Sequence, residues 1–94
     1  MADNTHDTGV LMSLVERLEK RRIPRALVIK TKVDRGDLLD EWDMEYMEKI
    51  IADAQDALSF VDDHPEYQKL YARVADLYED ITRKALENER NMST

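Results

Sequence analysis

Apolar residues recur along the chain at the spacing of one helix face, in blocks separated by polar or proline-bearing stretches. In the first block Val10, Leu11, Leu14, Val15 and Leu18 alternate with Glu16, Arg17, Glu19 and Lys20. This pattern predicts a helix over Val10–Arg22, ended by Pro24, because a proline disfavours the helical conformation of the residue before it.

The stretch from Pro24 to Arg35 carries two competing patterns. Leu27, Ile29, Thr31 and Val33 alternate as in a strand, whereas Ile23, Ala26, Ile29 and Val33 share one helix face. A second short helix, Pro24–Arg35, is the expectation. Pro24 suits a first turn, Gly36 suits the left-handed residue after the last, and a lone strand has no partner with which to pair.

Tyr46, Met47, Ile50, Ile51, Ala54, Ala57, Leu58 and Val61 define a third helix, expected over Asp43–Asp62. Continued backwards, this helix places Asp43 on the apolar face, where an unpaired carboxylate is costly. Asp43 is therefore read as the N-cap, with Trp42 and Met47 as the hydrophobic staple around it. The fourth block, Tyr67, Leu70, Tyr71, Val74, Leu77, Tyr78, Ile81 and Ala85, approaches a heptad and predicts a helix over Pro65–Glu89.

These elements predict an all-α fold: a small four-helix bundle in which two short N-terminal helices pack on a longer antiparallel C-terminal hairpin. Residues 1–9 read as a disordered lead, 10–90 as a single helical domain and 91–94 as a frayed tail. A length of 94 residues allows one core, and the scarcity of glycine and proline fits a helical chain. The chain has no cysteine, which removes disulfides and thiolate metal sites and points to a reducing, cytoplasmic setting. Neither a signal peptide nor a membrane-spanning segment is legible.

Charge changes the picture more than composition does. The net charge is −7, yet residues 16–35 hold eight bases against three acids, and residues 36–94 hold six bases against sixteen acids. The basic segment Arg17–Arg35 is expected to face protein acids, those of the third helix or of a second subunit. The alternatives are a solvated helix end, with bases at the C-terminus of the first helix where its dipole favours them, and a nucleic-acid-binding regulator that neutralises phosphates with Arg17, Lys20, Arg21, Arg22 and Arg25, which the overall acidity disfavours.

Candidates for catalysis are few. His6 lies in the expected lead, and His64, beside Asp62, Asp63 and Pro65, reads as a helix-start residue with no second histidine one turn away. Glu41, Glu45 and Glu48 form an outward strip. No Glu-x-x-His element, phosphate loop or serine elbow is present, so neither an enzyme nor a bound cofactor or metal is expected. The functional expectation is a non-enzymatic protein-interaction or regulatory module that self-associates, as a homodimer, without contact with a membrane. Its interaction residues are expected to be Arg17, Arg21, Arg22 and Arg25 of the basic segment and the tyrosines Tyr67, Tyr71 and Tyr78, whose rings favour interfaces.

Overall fold

A computed structural model describes residues 4–60 and 64–93. Helix α1 spans Asn4–Arg17, a wide turn Leu18–Arg22 joins it to α2, Ile23–Asp34, and α3 spans Glu41–Leu58. A single tight turn, Pro65–Tyr67, leads into α4, Gln68–Ser93. Apart from the short connections between helices, the described residues are helical, with no strand among them. Of the alternatives for residues 24–35, the helix is the one observed. None of the described helices is long and apolar enough to cross a membrane.

The largest departure from expectation lies at Pro24. The helix does not break there. Arg22 and Ile23 keep helical backbone angles, and the Ile23 amide bonds the Leu18 carbonyl, five residues back. In an ordinary helix the Pro24 ring would collide with the carbonyl of Lys20 and leave it without its donor. Widening the turn to a five-residue reach absorbs that misfit, as π-type turns do. The two short helices of the expected bundle are thus one continuous rod, and three helical rods pack together where four were expected.

The apolar pattern carries the same irregularity. Leu11, Leu14 and Leu18 are buried on α1 and the wide turn, and Ile23, Ala26, Ile29 and Val33 on α2. The step from Leu18 to Ile23 is five residues, which an ideal helix would rotate about 140° out of line. The wide turn restores the phase, so both stripes face the α3–α4 hairpin.

Ion pairs and side-chain bonds fix the directions of the rods. Asp53 of α3 meets Arg17 and Arg22, and Asp43 meets Lys32, so α3 runs antiparallel to the α1–α2 rod. Asn88 of α4 reaches Val33, and Tyr67 borders a groove with Met12, Val15 and Lys20, so α4 runs parallel to that rod. The core is a line of Leu18, Ile29, Val33, Ile50, Val74 and Ile81, with Leu70, Tyr71, Leu77 and Tyr78 packed at its margin. The outline is slender, 58 × 20 × 16 Å.

Boundaries differ from expectation at both ends. Helix α1 starts at Asn4 rather than Val10 and α4 continues to Ser93 rather than Glu89, because a nucleated helix extends one hydrogen bond at a time without needing an apolar face. Helix α3 ends at Leu58, and the part of its expected span at residues 61–62 lies outside the described residues.

The start of α3 requires a second correction. Asp40, not Asp43, is the N-cap. The Asp40 side chain accepts from the Asp43 amide at 2.8 Å, and Asp43 Oδ2 accepts from the Asp40 amide at 3.1 Å, a reciprocal capping box. Asp43 does lie on the buried face, and its carboxylate is matched there by the Lys32 ammonium. Trp42 is no staple, since it is 77% exposed.

The other end of the α2–α3 connection is also fixed by backbone chemistry. Gly36, at φ +99°, donates to the Val33 carbonyl and Asp37 donates to that of Lys32, the paired bonds of a Schellman stop. Buried Asn88 then donates to the carbonyls of Val33 and Asp37 at 2.8 and 2.9 Å, tying α4 to this corner.

Candidate interaction surface

The wide turn decides which bases of the basic segment point inward. Arg17 and Arg22 are five apart and would diverge on an ideal helix, but a turn with a five-residue reach sets them nearly in line. Both converge on Asp53, Arg17 Nη1 donating to Oδ1 at 3.2 Å and Arg22 Nε to Oδ2 at 2.8 Å. The Asp53 side chain is only 10% exposed, so this two-armed pairing is what makes a carboxylate tolerable there.

Tyr46 continues the network toward the surface. Its hydroxyl donates to the Arg21 carbonyl at 3.1 Å, and the guanidinium groups of Arg22 and Arg25 sit 5.2 and 5.8 Å from its ring centre. Burial pulls the Arg22 guanidinium toward its neutral form, but hydrogen bonding with Asp53 and Tyr46 outweighs it and the net displacement is upward. Tyr46 is thereby held in one orientation at the seam between the rod and α3.

Above this seam lies a shallow groove of about 420 Å³ lined by Arg25, Trp42, Glu45, Tyr46 and Lys49. Trp42 and Lys49 are seven residues apart on α3 and share one edge, facing the rod. Val28, 58% exposed, follows Arg25 by three residues on α2 and extends the same side of the rod. Around the exposed side of α3 the acids Glu41, Glu45 and Glu48 form the strip that their spacing predicts, and all three are exposed. A basic, aromatic edge and an acidic strip therefore run side by side along one helix.

The expected interaction residues are scattered over several places. Arg17 and Arg22 are committed to Asp53, Arg25 is exposed on the ridge, and Arg21, also exposed, lines a neighbouring hollow of the rod with Ser13, Glu16, Arg17 and Lys20. Tyr71 and Tyr78 are half-buried against the core, and Tyr67 borders the separate groove with Met12, Val15 and Lys20. The structure does not gather the tyrosines and arginines into one surface. Trp42, Tyr46 and Lys49 were not among the expected site residues. Their signal in the sequence is a tryptophan beside a run of acids, one turn before a tyrosine, a pattern that a hydrophobic staple also explains.

Among the described residues no group of three or more histidine or acidic side chains is placed to hold a metal ion. His64 is within 3.7 Å of Glu66 in the turn before α4, and the neighbouring Asp62 and Asp63 lie outside the described residues. Fold and surface together define an all-helical protein of three packed rods with a rigidly backed aromatic and basic ridge. Comparison with protein-family models, with curated proteins and with solved structures returns no match.

Proposed function

We propose that the protein is a non-enzymatic, cytoplasmic interaction module that binds protein through the ridge formed by Arg25, Trp42, Tyr46 and Lys49, with Arg21 exposed beside it on the rod. The observation that carries this reading is Trp42, 77% exposed on a groove whose floor is fixed by Tyr46 and the Asp53 clamp. Exposing an indole to water is costly, and tryptophan, tyrosine and arginine on a preorganised support are the residues that dominate protein interfaces.

Nucleic-acid binding has weaker support. Arg17, Arg22 and Lys32, three bases of the segment Arg17–Arg35, are engaged with Asp53, Asp40 and Asp43. The acidic strip beside the ridge repels phosphates as well.

The test is a paired substitution at the ridge, Trp42→Ser with Arg25→Ser, in a protein whose helicity and melting are unchanged. Loss of the binding partners retained by the native chain is the expected result. Retention of all of them by the variant overturns the assignment.

A further inference from the structure

We infer that the ridge is occupied by a second copy of this chain, in a two-fold pairing of α3 against α3 with the helices parallel. This rests on the ridge being a protein-binding surface and adds the identity of the partner. The basis is charge complementarity of the surface with itself. One edge of α3 and the adjoining rod present Lys49, Arg21 and Arg25, and the neighbouring strip presents Glu41, Glu45 and Glu48, all exposed.

A two-fold axis parallel to α3 turns this arrangement into its own complement. A half-turn about that axis keeps the two helices parallel and sets each basic edge against the other copy's acidic strip, and both sets of contacts form at once. Trp42, at the border between the two strips, is then covered by the opposing helix. A partner bearing a single sign of charge would satisfy one strip and be repelled by the other, which favours a self-complementary partner over a uniformly acidic peptide or a nucleic acid. The residues involved are not spent on folding: Arg21, Glu45 and Glu48 stand outside the Asp53 and Asp43 pairings that hold the rods together.

Charge exchange tests the pairing directly. One variant carries Arg21→Glu and Arg25→Glu, the other Glu45→Lys and Glu48→Lys, and circular dichroism establishes that both fold. Sedimentation should show the native chain as a concentration-dependent dimer and each variant weakened about tenfold or more, since like strips then face each other in both contacts. Mixing the two variants should restore the dimer, because the mixed pair is complementary at both strips. Trp42 is the single tryptophan, so its emission should shift to the blue on dimerisation and report burial at the same site.

A native chain that stays monomeric at high micromolar concentration overturns the inference, as does a dimer that neither variant weakens. Salt-sensitive binding of duplex DNA that the Arg21→Glu, Arg25→Glu variant loses also overturns it, in favour of a nucleic-acid partner. A monomer that still binds another protein in a Trp42-dependent way removes only the second copy. A monomer whose binding ignores Trp42 removes the ridge as well.

Discussion

Helix α3 buries two aspartates, Asp43 and Asp53, and holds them by different means. Asp43, 5% exposed, is held mostly by its own neighbourhood: the Asp40 amide in the capping box, with Lys32 added from α2. Asp53, 7% exposed, is held entirely from a distance by two arginines that a wide turn brings into line. The first arrangement rests on short-range chain geometry and survives small shifts of the rods. The second exists only when the rod and α3 are docked, so it reports on tertiary structure and makes the docking specific.

The comparison breaks most clearly at Asp53. Asp53→Ala leaves two guanidinium groups facing the seam without a carboxylate and should cost about 2–4 kcal/mol in thermal or denaturant unfolding. Arg17→Met should cost no more than about 1 kcal/mol, because Arg17 is 42% exposed and water replaces its partner. Equal losses would show that the two arms are not distinguished by burial. Joint replacement with Asp53→Leu and Arg22→Met should recover most of the stability, since apolar pairs substitute for buried ion pairs.

A smaller effect is expected at Asp43. Asp43→Ala should cost about 1–2 kcal/mol through loss of the capping box, and Asp43→Asn less, because an amide oxygen still accepts from the Asp40 backbone. Equality of the two in urea unfolding would move the weight from the box to the Lys32 ion pair.

The smallest effect is a pH dependence confined to this cap. Hydrogen bonding from the Asp43 amide, aided by Lys32, holds the Asp40 carboxyl below its ordinary 3.8. The native state therefore prefers the ionised form, so its contribution is complete above about pH 4 and fades as the pH falls through the lowered value. Lys32 is displaced upward from 10.5, chiefly by its bond to Asp43, so its contribution is complete below that value and is lost as the pH rises through the raised one. The melting-temperature difference between the native chain and Asp40→Asn should accordingly be level near neutrality and shrink in acid. A difference that persists at pH values well below 3.8 would contradict the cap's ionisation.

Helix type and face were legible because burial follows a regular period. Ile23, Ala26, Ile29 and Val33, taken from spacing alone, are all buried, and Gly36 does adopt the left-handed stop. Two features were hidden by the assumption of an ideal helix. A wider turn at Pro24 shows in the sequence only as a five-residue step in the apolar stripe, which a break at the proline explains equally well. Asp43 is costly on the apolar face only if unpaired, and its partner lies eleven residues upstream, at Lys32, on another rod. The Asp53 clamp and the Asn88 tie depend on packing between rods, and no local pattern encodes them. The exposed Trp42 was present in the sequence as a residue but not as a surface, since its edge is defined only once Arg25 and Tyr46 are beside it.

The slender outline of the molecule, 58 × 20 × 16 Å, has a hydrodynamic consequence. A body much longer than it is wide meets more friction than a sphere of equal mass and tumbles faster about its long axis than across it. Pairing along the flank of α3 thickens this body without lengthening it in proportion. Association should therefore make rotation more uniform in direction, and relaxation anisotropy should fall as the mass doubles. End-to-end association would drive the same anisotropy upward.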